Sequence, residues 1–244
     1  MTELYDTIGA GYAPRRVSDP RIARRLRRCL ADGPVVNVGA GAGSYEPADL
    51  PTVAVEPSMR MIAQRRSTAP VVRATAERLP FRDGAFDSAM AVLTVHHWPD
   101  PARGLSELAR VARRSVAVMT WDPAAAGWWL VDDLFPELLA IDRAIFPPLD
   151  LFRAAWGRIE VETVPVPADC TDGFLGAYWR RPEAYLDPAV RGAMSTFARV
   201  PEVEARVERL RADLASGAWA RRHRRLLDEE SLDVGYRIVR ATRR

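Results

Sequence analysis

Gly39, Gly41 and Gly43 stand at alternate positions directly behind the apolar run Val35-Val36-Asn37-Val38. Glycines at this spacing remove side chains where a ligand must lie against the backbone. An acid, Glu56, closes the next apolar run, Val53-Ala54-Val55. At the end of the second strand of a nucleotide-binding α/β fold, an acid accepts hydrogen bonds from ribose hydroxyls. The other reading of Glu56 is an exposed charge at a strand end. The spacing G-x-G-x-G differs from the G-x-G-x-x-G of dinucleotide sites, whose loop feeds a helix N-terminus that binds pyrophosphate. Here residues 44–52 contain Pro47 and Pro51, which leave room for at most one or two helical turns. The chemistry indicated is recognition of a nucleoside ligand without phosphate.

His96 and His97 are two of the chain's 3 histidines, and they follow the run Phe86 to Leu93. At the carboxyl end of a strand they would overlook a ligand crevice. There a histidine can act as a base toward a nucleophile that carries a proton. The competing reading is packing, or a backbone contact to the ligand. Cys29 and Cys170 are the only 2 cysteines. They form neither a metal-ligand spacing nor a disulfide framework, so no metal is expected.

These residues need elements to position them. Strands are expected at 35–39, 52–56, 71–74, 86–93 and 115–120, with helices at 58–66 and 101–113. Asp19-Pro20 begins an earlier helix that runs to about Cys29, with an acid at the cap and proline in the first turn. Strands alternating with helices imply right-handed crossovers and a doubly wound sheet. After Trp121 the alternation breaks. Residues 122–150 form an aromatic-rich helical segment ending at Pro147-Pro148, and a strand is expected at 158–166. A mostly helical insertion covers 168–230. A last strand at 234–240 is a candidate antiparallel edge partner. No repeat or low-complexity linker divides the chain, so 1–244 is read as a single domain. Its cap is built from 1–30, 122–150 and 168–230.

Composition narrows the classes. The 244 residues are 48% hydrophobic, enough for a sizeable core. No apolar run approaches the ~20 residues that span a bilayer. The start of the chain lacks the basic-then-apolar pattern of a signal peptide, so a cytoplasmic location without membrane partners is expected. All 35 basic residues are Arg, against 32 acids, for a net charge of +3. The clusters Arg21 to Arg28 and Arg221 to Arg225 carry no interleaved aromatics, so nucleic acid is not an expected partner.

The motifs together resemble a known family. Val38-Gly39-Ala40-Gly41-Ala42-Gly43, Val53 to Ser58, Ala76-Glu77-Arg78-Leu79-Pro80-Phe81, Phe86-Asp87-Ser88-Ala89 and Val95-His96-His97-Trp98-Pro99-Asp100 are similar to those of class I S-adenosylmethionine-dependent methyltransferases of the bacterial small-molecule type. Tyr5-Asp6-Thr7-Ile8, Tyr12 and Arg15-Arg16 resemble the family's lid segment. The resemblance implies a Rossmann-like α/β fold, with a seven-stranded, mostly parallel sheet, an antiparallel last strand and a helical cap. It implies S-adenosylmethionine as cofactor and a small aromatic or hydrophobic acceptor methylated at O, N or C. Gly39, Ala40, Gly41, Glu56, Pro57, Ser58, Met59, Thr75, Ala76, Glu77 and Leu93 would line the cofactor, with Tyr5, Tyr12 and Arg16 from the lid. His96 or His97 would be the base, if one is used. Trp98, Trp121, Trp128, Trp129, Tyr178 and Trp179 would form the acceptor pocket or, being at helical spacing, the core. Asn37 and Thr75 stand where many relatives carry Asp. These departures leave open a cofactor-binding protein with a non-methylating or regulatory role.

Overall fold

The computed structural model describes residues 16–125, 127–200 and 202–242. Apolar runs form β1 (Val35–Val38), β2 (Thr52–Val55), β3 (Val71–Val72), β4 (Phe86–Val92) and β5 (Ala112–Trp121). Further along come β6 (Glu160–Thr163), β7 (Val166–Pro167), β8 (Ser231–Leu232) and β9 (Tyr236–Thr242). Seven strands make one sheet in the order β3-β2-β1-β4-β5-β9-β6. The first five are mutually parallel, and β9 runs antiparallel to both its neighbours. All four residues of β1 are buried, as expected of a parallel strand covered on both faces.

Helices α1 (Pro20–Arg28), α2 (Met59–Ala63), α3 (Pro101–Val111), α4 (Pro136–Ile145) and α5 (Leu149–Trp156) follow in chain order. On one face of the sheet, Leu105 and Leu108 of α3 and Phe152 of α5 pack with Val36, Val38, Ala89 and Ala91. On the other, Ile22 and Leu26 of α1 join Met90, Met119 and the cap. The cap holds a π-helical turn at Leu130–Leu134, α4, and α6 (Pro188–Gly192), α7 (Val203–Ala215), α8 (Ala218–Arg222) and α9 (Arg224–Leu227). None of the described helices is long and apolar enough to cross a membrane.

Several expected elements are redrawn. The strand expected at 158–166 splits. β6 joins the main sheet, while β7 pairs with β8 in a separate two-stranded ribbon. Pro165 and Pro167 lack the amide hydrogens needed to continue a ladder. The last strand is not an edge: β9 lies between β5 and β6. Its Ile238 and Val239 are both fully buried, whereas β6 carries exposed Glu160 and Val161 and forms the edge. An unexpected helix, α5, starts just behind Pro147-Pro148. It packs on α3 beneath the sheet, with Trp156 Nε1 donating to the Leu105 carbonyl at 2.9 Å.

Parallel pairing puts the carboxyl ends of β1, β2, β4 and β5 at one edge. The antiparallel β9 brings its first residue, Tyr236, to that same edge, paired with Trp121 at the end of β5. The chain reverses its order of strand addition between β1 and β4, the place where open α/β sheets bind ligands.

Candidate active site

The glycine loop leaves β1 as a series of turns rather than a helix. Gly39 and Gly41 take φ of +68° and +52°, which L side chains rarely adopt. A Cβ at Gly39 would also lie 2.2 Å from Thr94 Oγ1, so glycine there is required by the packing of the loop on the β4 exit. The Gly39 and Ala40 amides both donate to the Val55 carbonyl, tying the loop to β2. Glu56, at the end of β2, accepts from Gly41 N at 2.7 Å and from Ser58 N at 3.0 Å. Burial raises its carboxyl above the usual range, and these two amides work against that rise. Ser58 in turn caps α2 by accepting from Met61 N.

These groups line a cleft of about 1100 Å³ of empty space, its open mouth included. Its wall continues through Thr75, Ala76 and Glu77 after β3 and through Leu93, His97 and Trp98 after β4. Leu93 holds a left-handed φ of +50°, uncommon for a bulky residue and characteristic of residues at functional sites. Asn37 also faces the cleft. Its Nδ2 donates to Glu46, while its Oδ1 is buried with no partner among the described residues. A buried acceptor left open in this way is a place for a ligand's donor.

A second, smaller chamber of about 530 Å³ of empty space adjoins the first and shares Arg16, Leu93 and His97 with it. Its walls are largely aromatic: Trp121, Phe146, Phe174, Tyr236 and His96. His96 stacks on Phe146 with ring centroids 3.9 Å apart, and Trp121 meets Phe146 edge-on. Trp121 Nε1 donates to the Val234 carbonyl at 2.9 Å, which fixes its ring. Burial drives the His96 imidazole well below its ordinary pKa and takes His97 down to about 4, with Arg199 and Arg16 pushing the same way. Both are therefore neutral at pH 7. Arg16 reaches the junction of the two spaces in a bidentate pair with Asp172, which also accepts from Tyr45 Oη at 2.9 Å.

Residues 36–119 match the family model described as methyltransferase domain. Over nearly its whole length the chain is similar to a solved structure from Anabaena variabilis titled "Putative methyltransferase from antibiotic biosynthesis pathway". The two are 33% identical, with a TM-score of 0.86, over 93% of this chain and 99% of that one. The chain belongs to the class I S-adenosylmethionine-dependent methyltransferases. Curated relatives match over shorter stretches. "Uncharacterized methyltransferase YcgJ" of Bacillus subtilis is 31% identical over 50% of this chain and 49% of the relative. "Uncharacterized methyltransferase Rv3342" of Mycobacterium tuberculosis is 38% identical over 32% of this chain. The chain thus spans about a third to a half of the length of these curated relatives, 35% for the mycobacterial protein.

The cofactor of this methyltransferase family is S-adenosylmethionine, and the residues present fit it. Asn37 Oδ1 is an unsatisfied acceptor for the ammonium group, and the glycine loop gives backbone access. Arg16, Gly39, Ala40, Gly41, Glu56, Pro57, Ser58, Thr75, Ala76, Glu77 and Leu93 all line the large cleft. Met59 does not. It is 55% exposed, because the turn of α2 sends Met61, two residues on, into the cleft instead. Tyr5 and Tyr12 lie outside the described residues. Trp98 lines the cofactor cleft rather than the chamber, its ring pressed on Gly104 of α3.

Among the aromatics expected at the acceptor, Trp121 alone lines the chamber. Trp128, Trp129, Tyr178 and Trp179 belong to the packing of the cap. Trp129 Nε1 donates to the Trp179 carbonyl, and Trp179 Nε1 to the Val166 carbonyl. Tyr178 packs edge-on against Tyr185. The two spaces are also bordered by residues that the sequence does not flag: Asp142, Thr196 and Tyr236 line the chamber, and Glu46 with Arg65 pairs behind Asn37 and Gly41. Their partners lie on other elements, so no local spacing announces them.

Proposed function

We propose that this methyltransferase transfers the methyl group of S-adenosylmethionine to a small aromatic or hydrophobic molecule held in the aromatic chamber. One observation carries the reading: the cofactor cleft and the chamber meet at Leu93, His97 and Arg16, so two ligands could face each other there. Bound S-adenosylmethionine supplies a methyl group already activated on a sulfonium. What remains for the protein is to align two reactants and exclude water. Glu56 would hold the ribose hydroxyls, Asn37 Oδ1 would accept from the ammonium, and Thr75, Ala76 and Met61 would border the adenine. Thr75 brings no carboxylate, so the base is recognised through the backbone at Ala76. Glu77 is turned toward the start of α3, where it accepts from Asp100 N. His96 and His97 serve as neutral walls of the chamber, since imidazoles with pKa values this low retain a proton poorly. A concave chamber of this size suits a small molecule better than a macromolecule. The antibiotic-pathway title of the Anabaena structure supports an acceptor from natural product biosynthesis, and the composition supports a cytoplasmic enzyme.

Titration calorimetry with S-adenosylmethionine and with NAD tests the cofactor. Saturable binding of the first and none of the second is expected, and the reverse result would overturn the proposal. A panel of small aromatic acceptors, followed by mass detection of a methyl gain, tests the transfer. Tight cofactor binding with no methyl gain and no demethylated cofactor formed would instead support the non-methylating role.

A further inference from the structure

We infer that Asp142 of α4 is the proton acceptor of the reaction, and that the acceptor it serves is a planar aromatic molecule methylated on a hydroxyl oxygen. The inference rests on the methyl-transfer reading above and assigns its acceptor class. Asp142 is buried, 6% exposed, yet lines the chamber. Its Oδ1 accepts from Thr196 Oγ1 at 3.0 Å, and its Oδ2 accepts from none of the described residues. That second oxygen belongs to a residue on the chamber wall, where a ligand's donor can reach it. A second observation points the same way. His96 Nδ1, in the lining of the same chamber, is buried without a partner among the described residues. The chamber thus offers one carboxylate oxygen free to accept and one buried imidazole nitrogen without a partner, among aromatic faces.

A base on the chamber wall selects a hydroxyl over an amine. A neutral amine already carries a free lone pair and needs no base before attack. A neutral hydroxyl attacks poorly until its proton is taken. Arg199 bears on Asp142 as a cation, a field that favours negative charge developing on oxygen. The hydroxyl proton passes to Asp142 Oδ2. The oxygen lone pair forms the new bond to the methyl carbon, and the carbon–sulfur bond breaks with its electron pair staying on sulfur. The products are a methyl ether, a neutral thioether and a protonated Asp142, which returns its proton to solvent.

Other titratable groups facing Asp142 are His96 and His97 from the β4 exit, Tyr236 from β9, Arg16 and Arg199. The histidines are too weakly basic for this role, and burial pushes the Tyr236 hydroxyl up, away from ionisation. Burial lifts Asp142 itself to about 7, against the Thr196 hydrogen bond and Arg199. Its carboxylate therefore forms near neutrality, on the wall of the chamber.

The test uses 1-naphthol, 1-aminonaphthalene and naphthalene as probes, with 4-nitrophenol as a phenol already largely ionised at pH 8. Calorimetry with S-adenosylmethionine on the wild type and on Asp142→Asn comes first. No binding by the wild type sinks the methyl-transfer reading itself; binding by both isolates the question of Asp142. Naphthol should bind and gain its methyl on oxygen, with a rate that rises with pH through about 7. Asp142→Asn should lose about 100-fold in kcat toward naphthol, the low end of general base catalysis. The same variant should lose far less toward 4-nitrophenol, and its pH step should vanish. Thr196→Val, which removes a bond favouring the carboxylate, should move the step to higher pH, and it provides the reading if Asp142→Asn does not fold. Methylation of the amine alone, no binding of naphthol, an equal loss toward both phenols, or an unmoved pH profile in the variants would each overturn the inference.

Discussion

At position 37 the resemblance expects an acid, and the fold brings one from elsewhere. Glu46 reaches back beneath the glycine loop, where Asn37 Nδ2 donates to it. Arg65 binds both of its oxygens, at 2.8 and 2.9 Å, and also donates to the Gly41 carbonyl at 3.3 Å. Both side chains of the pair are only 5% exposed. One buried ion pair therefore anchors Asn37 and Gly41, two residues that line the cofactor cleft. Removing one partner of such a pair strands a buried charge, whereas removing both charges is often nearly neutral. Arg65→Met should cost about 3 kcal/mol of stability, read by urea unfolding. The double variant Glu46→Gln with Arg65→Met should recover most of that loss, yet still bind S-adenosylmethionine more weakly, because the loop has lost its anchor. Full recovery of affinity along with stability would show that the pair is structural only. Neither this pair nor Asp142 with Thr196 was legible in the sequence. Their members lie 19 and 54 residues apart, and only the tertiary fold joins them. Glu56 was legible because its position follows directly from the end of a strand.

At the scale of elements, the start of α1 is held by a carboxylate that does more than cap. Asp19 accepts from the Arg21 amide and guanidinium and from Thr171 N, so it also pins the helix to the segment after β7. Burial works to raise its carboxyl, but these donors outweigh it and hold the group down to about 2. A carboxyl depressed on folding contributes stability above its unfolded pKa, and that contribution fades as pH falls through the folded value. The drop from 3.8 to about 2 corresponds to about 2 kcal/mol. Asp19→Asn should therefore lose about that much in urea unfolding at pH 7. The gap between wild type and variant should close as pH falls from about 4 to about 2, and a gap that stays constant across that window would remove the ionised carboxylate as its cause. The capping signal itself was plain in Asp19-Pro20, as were the early strands, whose apolar runs need no partner to be recognised. What escaped was arrangement. The strands at 158–166 and 234–240 were both expected, but the last was taken as the edge partner, whereas its buried Ile238 and Val239 lie inside the sheet and the exposed β6 forms the edge. Likewise Pro147-Pro148 looked like the end of a helical region, although proline equally opens a helix, and α5 starts there.

Across the whole molecule, one apolar cluster runs from α1 through Met90 and Met119 of the sheet into Leu130, Trp179 and Tyr185 of the cap. That cluster is continuous between sheet and cap, which argues that they unfold together as one domain. Both ligand spaces open along the sheet edge that this cluster supports. Cofactor binding should then stabilise the entire chain, not the glycine loop alone. A ligand that binds only the folded state adds about 2.7 kcal/mol at a hundred times its Kd. For a chain of this size each kcal/mol moves Tm by about 2–4 °C. S-adenosylmethionine at that concentration should raise Tm by about 5–10 °C in differential scanning calorimetry, as one shifted peak, with no shift from NAD. A peak that splits, leaving part of the heat absorption at the ligand-free temperature, would show that the cap unfolds independently of the sheet. In that case the chamber would be a mobile cover and Asp142 would lack a fixed position, so this experiment also bears on the geometry assigned to proton transfer.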